Sequence, residues 1–216
     1  MPKRLIAIGC SQTYGHGLED ISDCKGEIDY AKGPSKLAWP ALLGNKLKLE
    51  VINLAMPASS NKRIAHILTS INNINKDDII IFCWTYPLRT AIIKDNDYAY
   101  LHAHKSKHGN DYNVAQQWIK FRAMADPDSI DLWHENLVWA SFANRYAETV
   151  TPNVYNYSMM GGFPQELIEL YKVPIIEDLD YIIRKHKRAL DNSHPGLDAH
   201  CEFADRMYNY IRSKND

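Results

Sequence analysis

Long apolar runs, paired cysteines and an excess of either charge are what this sequence lacks. The longest apolar run, Ile79-Ile80-Ile81-Phe82-Cys83-Trp84, has the length of a strand and falls well short of the ~20 residues a membrane helix needs, so no membrane association is expected. Met1 to Gly9 carries two basic residues, Lys3 and Arg4, but only a short apolar stretch and no small-residue cleavage pattern. It reads as a first strand rather than a signal peptide. The four cysteines, Cys10, Cys24, Cys83 and Cys201, are too few and too scattered for a disulfide scaffold, and no CxxC pair suggests zinc. A reducing, cytoplasmic setting is the expectation. Lys plus Arg number 25 against 26 for Asp plus Glu, a net charge of −1, which argues against a nucleic-acid protein working through a broad basic field. There is no internal repeat and no low-complexity tract. The glycines between Gly9 and Gly17 are not followed by Gly-Lys-Ser/Thr, which argues against a phosphate-binding loop; no cofactor is expected.

What is present is an ordinary globular composition, 45% hydrophobic and 24% charged, in a chain of 216 residues. One domain over 1–216 is expected, large enough to bury roughly 70% of its unfolded surface without a metal or disulfide. Strand and helix signals alternate. Leu5 to Ile8 reads as a buried strand, and residues 15–36, rich in Gly, Asp and Lys, as a loop. Trp39 to Leu47 reads as a helix with Pro40 in its first turn. Val51 to Leu54 is a second strand. It leads through Ala58-Ser59-Ser60-Asn61, good helix-capping residues, into a helix with an apolar stripe of Ile64, Ile67, Leu68, Ile71 and Ile74. Ile79 to Cys83 lacks any alternation, as expected of a parallel central strand buried on both faces. Residues 91–134 break the pattern and read as an insertion or a partly helical cap. After it come a helix at Leu137 to Tyr146, a strand at Val154 to Tyr157, a helix at Gln165 to Tyr171, a short strand at Val173 to Ile176 near a sheet edge, and a last helix after Pro195. The string implies a mainly parallel sheet with helices on both faces. Ligands in such sheets sit beyond the carboxyl ends of the strands, which directs attention to residues 9–15, 55–61 and 84–89.

Ser11, in Gly9-Cys10-Ser11-Gln12-Thr13-Tyr14-Gly15, follows the first strand at the start of a helix. There it is either a nucleophile with a backbone N–H able to steady an oxyanion or simply the helix cap. Asp191 and His194, in Asp191-Asn192-Ser193-His194-Pro195, can face the same way in a turn. The carboxylate can then hold one imidazole nitrogen and leave the other as a base; the bland alternative is a solvated turn. His102, His104, His108 and Asp111 offer metal-ligand side chains, but the interleaved Lys105 and Lys107 disfavour a cation, and a solvated loop is the reading kept. Arg89 lies near the expected cleft, either as a partner for an anionic substrate or in a structural ion pair. Arg184 to Arg188 is a basic run read as a solvated helix face.

Taken together, a serine after strand 1 and Asp-x-x-His before the last helix make the chain resemble the SGNH (GDSL) hydrolase superfamily. Gly9-Cys10-Ser11 stands for its Gly-Asp-Ser block and Asp191-Asn192-Ser193-His194-Pro195 for its last block. Val51-Ile52-Asn53-Leu54-Ala55-Met56-Pro57-Ala58 resembles its second block, with Ala58 at the oxyanion-hole glycine. Cys83-Trp84-Thr85-Tyr86 stands at the third, with Thr85 in place of the oxyanion-hole asparagine. The resemblance implies a flavodoxin-like three-layer α/β/α sandwich with a mainly parallel five-stranded sheet and an insertion after strand 3. It implies a hydrolase of carbohydrate O-acyl or small-molecule esters, with Ser11, His194 and Asp191 as the triad and Ser11, Ala58 and Thr85 forming the oxyanion hole. Asn61, Trp84 and Arg89 are candidate substrate contacts, with Asn61 a replacement oxyanion donor; no metal is expected. The substitutions at Cys10, Ala58 and Thr85 leave a second reading, a catalytically degenerate binding or accessory protein on the same fold.

Overall fold

The uninterrupted apolar strands can be satisfied only between two helical layers, and the computed structural model puts them there. It describes residues 3–86, 89–94, 97–101, 117, 120, 121, 124, 130–159 and 163–215. Five strands, β1 (Arg4–Ile8), β2 (Glu50–Asn53), β3 (Ile79–Trp84), β6 (Val154–Ser158) and β7 (Ile175–Asp178), form an all-parallel sheet in the order β2-β1-β3-β6-β7. Counting sheet strands alone, this is the 2-1-3-4-5 order of flavodoxin-like folds, whose ligand crevice opens where the order reverses, at the ends of the first and third strands. The register of β1 and β3 (Leu5 opposite Ile79, Ile8 opposite Phe82) is pinned at its start. There the buried Asp78 accepts from the Arg4 backbone N–H at 3.0 Å and from its guanidinium at 2.6 Å.

Alternation along β1 and β3 splits the core in two. Leu5, Ala7, Ile79, Ile81 and Cys83 face one layer, made of α2 (Trp39–Leu47), α6 (Asp180–Lys185) and α7 (Leu197–Asn215). Ile6, Ile8, Ile80, Phe82 and Trp84 face the other, made of α3 (Asn61–Thr69), α4 (Ile130–Glu148) and α5 (Gln165–Tyr171). The one-turn helix α1 (Ser11–Tyr14) follows β1.

Several boundaries differ from the sequence reading. α3 stops at Thr69, although Ile71 and Ile74 still pack on the core. The last strand starts at Ile175, not Val173, and the helix expected under the basic run is α6, which starts earlier and holds only Arg184 and Lys185 of that run. The expected insertion contains an antiparallel hairpin of β4 (Thr90–Lys94) and β5 (Asp97–Leu101), and its last residues belong to α4. The histidines 102, 104 and 108 and Asp111 lie outside the described residues. The basic run is neutralised locally: Arg184 pairs with Asp180 at 2.6 Å, and Lys185 and His186 pair with Glu202 at 2.9 and 2.7 Å. Among the described residues no helix is long and apolar enough to cross a membrane.

Candidate active site

β1 ends against a tight bend. A Cβ on Gly9 would lie 2.2 Å from Thr13 Oγ1, so only glycine lets the chain fold back into α1. Cys10 occupies the cap position in extended backbone and makes no side-chain capping bond. This corrects the capping alternative for Ser11, which is the first helical residue. Gly15, left-handed at φ 87°, closes the turn by donating to the Ser11 carbonyl, and the His16 N–H donates to the same oxygen at 3.0 Å. Asn53 ties β2 to this turn, donating to the Thr13 carbonyl at 2.9 Å and accepting from the Ala55 N–H at 3.0 Å.

The loop before α7 comes back to the same point. Asp191 Oδ1 accepts the N–H groups of Ser193 and His194, both at 3.0 Å, and Oδ2 meets His194 Nδ1 at 2.5 Å. His194 Nε2 lies 2.9 Å from Ser11 Oγ. Burial by itself would raise the Asp191 carboxyl. The two backbone donors and the imidazole outweigh it and hold the group below the usual carboxylate range. An ionised carboxylate only accepts, so the proton of a neutral His194 resides on Nδ1 and the Nε2 lone pair faces the serine hydroxyl. A hydroxyl, an imidazole and a carboxylate thus stand in series.

Three residues that the sequence reading left in an anonymous loop support this series. Gly17 and Gly26, at φ 82° and 80°, press directly on Asp191: a Cβ at Gly17 would sit 2.8 Å from Oδ1, and one at Gly26 2.4 Å from the Asp191 backbone nitrogen. Leu190 N–H donates to the Gly17 carbonyl at 3.0 Å. The third, His16, stacks on His194 with ring centroids 4.3 Å apart and planes 15° from parallel. Left-handed glycines spaced along a loop were the only available signal, and nothing local shows what they would meet.

Around the series, Ala58 adopts φ 68°, the conformation for which glycine is the natural choice. Among the described residues nothing accepts the N–H of Ala58 or of Ser11. Thr85 is nearly fully buried, and its hydroxyl accepts from Arg89 Nη1 at 2.9 Å; the Arg89 guanidinium also lies over the Tyr86 ring, 5.5 Å from its centroid. Two candidate contacts are corrected. The fully buried Asn61 spends both amide hydrogens on the Thr85 carbonyl (3.0 Å) and Asn136 Oδ1 (2.8 Å), and its oxygen accepts the Thr85 N–H at 2.8 Å. It clamps the end of β3 and has no donor to offer a ligand. Trp84 is fully buried, stacked on Phe82 with its indole N–H on Asn156, so it belongs to the core. Among the described residues the ligand atoms of His16, Asp191 and His194 cluster within 4.8 Å. These are the groups of the series and its stacked neighbour, and the Asp191 oxygen facing both imidazoles is already bonded to one of them.

No protein-family model and no curated protein sequence matches the chain. Solved structures do. A carbohydrate esterase described as having divergent catalytic and non-catalytic binding functions superposes with a TM-score of 0.59 at 11% identity, covering 97% of this chain and 68% of its own. An acetyl xylan esterase from the rumen bacterium Butyrivibrio proteoclasticus gives 0.56 at 12%, covering 98% and 64%. The chain therefore spans about two thirds of these two esterases. The psychrotrophic esterase EstA from Pseudoalteromonas sp., in a form inhibited by monoethylphosphonate, gives 0.57 at 11%, covering 99% of this chain and 100% of its own. The five-stranded parallel sheet, its strand order and these superpositions together assign the chain the α/β fold of the SGNH (GDSL) hydrolases.

Proposed function

We propose that the protein is a serine esterase or deacylase of the SGNH type, hydrolysing carbohydrate O-acyl or small-molecule esters. The observation that carries the reading is the series Ser11 Oγ–His194 Nε2–Asp191, with contacts of 2.9 and 2.5 Å. Ser11 Oγ attacks the ester carbonyl carbon while His194 Nε2 takes its proton. The resulting imidazolium remains held by Asp191 and returns the proton to the departing alcohol oxygen. Water then attacks the acyl-serine by the same route, releasing the acid. The oxyanion is received by the unpartnered N–H groups of Ser11 and Ala58 and by the Thr85 hydroxyl, which accepts from Arg89 and so keeps its own proton to give. Each such donor typically contributes ~2.7–4 kcal/mol to the transition state. The esterases that share the fold support the ester class of substrate.

One observation favours the degenerate reading: Asn61 occupies the Thr85 N–H, which leaves a hydroxyl as the sole donor at that position. Hydrolysis of p-nitrophenyl acetate by the wild type and Ser11→Ala, alongside fluorophosphonate labelling, separates the two. A rate lost in Ser11→Ala and an adduct on Ser11 are expected. Equal rates and no adduct would leave a binding protein on a hydrolase fold.

A further inference from the structure

Held only through Nδ1, the His194 ring could still twist about its Cβ–Cγ bond. Its Nε2 must nevertheless stay within hydrogen-bond reach of one hydroxyl, and a displacement of ~1 Å at a reacting group costs on the order of 10²-fold in rate. The opposing restraint is the second imidazole. His16 lies against the face of His194, centroids 4.3 Å apart and planes 15° from parallel. Its Nε2 edge points at the same carboxylate oxygen, 3.8 Å from Asp191 Oδ2, too far for a hydrogen bond. Its Nδ1 is buried with no partner among the described residues. The contact it offers is therefore that of a flat ring.

This ring is not placed independently of the nucleophile. The backbone N–H of His16 donates to the Ser11 carbonyl at 3.0 Å, beside the Gly15 N–H that caps the same helix. Gly17, immediately after it, packs against Asp191. Nucleophile, stacked ring and carboxylate support thus lie on one short stretch of chain. We propose that His16 is a positioning residue, a flat uncharged plate that fixes the plane of the His194 imidazole so that Nε2 stays aimed at Ser11.

The plate has to remain uncharged, because a cation there would repel the imidazolium formed on His194 and compete for Asp191. The structure provides for this. Burial first, and the neighbouring His194 second, push the His16 imidazole down to about 4, so it is neutral near pH 7.

The inference rests on the proposed esterase reading, and two measurements keep them separable. The first is the steady-state kinetics of p-nitrophenyl acetate hydrolysis by wild type, Ser11→Ala, His16→Ala and His16→Phe. His16→Ala is expected to lose ~10–100-fold in kcat with KM within about twofold, because ring alignment and not binding is lost. His16→Phe, which restores a flat uncharged ring, is expected to recover to within about threefold of wild type. The second needs no turnover: the far-downfield proton resonance of the short His194 Nδ1–H···Asp191 bond. It is expected in wild type and His16→Phe and broadened by exchange in His16→Ala. Wild-type activity no greater than that of Ser11→Ala would sink the esterase reading, and the resonance would still test the plate. A His16→Ala protein with unchanged kcat and an unchanged resonance overturns the positioning role, as does a His16→Phe protein no better than His16→Ala in both.

Discussion

Replacing Ala58 with glycine should stabilise the protein, although it removes a methyl group. Ala58 sits at φ 68°, where the Cβ of an L-residue crowds its own carbonyl at a cost of roughly 1–2 kcal/mol. Glycine relieves that crowding. It also gives the unfolded chain more freedom, which returns about 0.4–1 kcal/mol. The difference leaves Ala58→Gly more stable by roughly 0.5–1 kcal/mol, which for a domain of this size is about 1–4 °C in Tm. Ala58→Val tests the opposite direction: a β-branched side chain is a true outlier at positive φ and should lower Tm by more than glycine raises it. Lys48 and Lys172, exposed helix-terminal residues at φ 57° and 53°, serve as references, because glycine there probes the backbone angle with little change in packing. Urea and thermal denaturation of the set give the comparison. An Ala58→Gly protein less stable than wild type, while both lysine replacements gain, would mean that the Ala58 methyl is held by packing that outweighs its backbone angle. The positive φ at Ala58 would then cost less than the packing of its methyl contributes.

Gly17→Ala and Gly26→Ala should each destabilise by about 1–3 kcal/mol from overpacking, with the positive φ adding to it. Gly17→Ala, whose methyl would push on Asp191 Oδ1, should also slow ester hydrolysis; urea melts and initial rates read the two effects. Thr85→Val keeps the shape and deletes the hydroxyl, and its kcat for p-nitrophenyl acetate should fall ~10²-fold, with Tm lowered by the loss of the Arg89 hydrogen bond, worth about 1.5–3 kcal/mol. An unchanged kcat would remove Thr85 from the oxyanion site. His200 is fully buried, its Nδ1 accepts the Trp39 N–H at 3.1 Å, and burial above all, then His194, lowers it to about 3. The unfolded chain takes up this proton near pH 6.5 and the folded one does not, so stability is full above that pH. It falls by roughly 1.4 kcal/mol per unit as pH drops toward the folded value. Urea melts at pH 7.5 and 5.0 should show a smaller acid loss in His200→Gln than in wild type, and coincident acid limbs would contradict the assignment.

Fold class was legible because burial on both faces leaves an unmistakable trace. Leu5 to Ile8 and Ile79 to Trp84 carry no polar residue, and only a central parallel strand permits that. Boundaries were less legible. Ile71 and Ile74 continue the apolar stripe of α3 yet lie beyond its end, because a hydrophobic residue reaches the core as readily from a loop as from a helix. Asn73, at φ 68°, lies in this post-helical segment. Ser11 could be singled out because it follows the end of a strand, whereas Asp191 and His194 lie in none of the three strand-end segments and were singled out by their Asp-x-x-His spacing and by the resemblance it carries together with Ser11. Asn61 and Trp84 were misjudged for the converse reason. Both lie at strand or helix ends near the crevice, but position along an element does not say which way a side chain points, and both point inward. His16, Gly17 and Gly26 escaped notice because their partner, the loop at Asp191–His194, lies in the distant C-terminal part of the chain.

Ala58 and Thr85 differ in different ways from the motifs the sequence resembles, and the difference follows from what would supply the chemistry. At Ala58 the useful group is a backbone N–H. A changed side chain leaves that donor in place so long as φ stays positive, and the chain holds φ at 68° against the preference of alanine. At Thr85 the resemblance implies a side-chain amide as donor, and a hydroxyl there is a different chemical group. Asn61 takes up the Thr85 N–H and carbonyl, which satisfies a buried strand end that would otherwise cost about 1–3 kcal/mol per orphaned group. Arg89 supplies a charge-assisted donor to the hydroxyl, which leaves the hydroxyl proton available to donate. A hydroxyl polarised by a guanidinium is a stronger donor than an isolated one. On the proposed esterase reading, the rate depends less on the side chain at position 58 than on how well the Thr85–Arg89 pair serves in place of one amide.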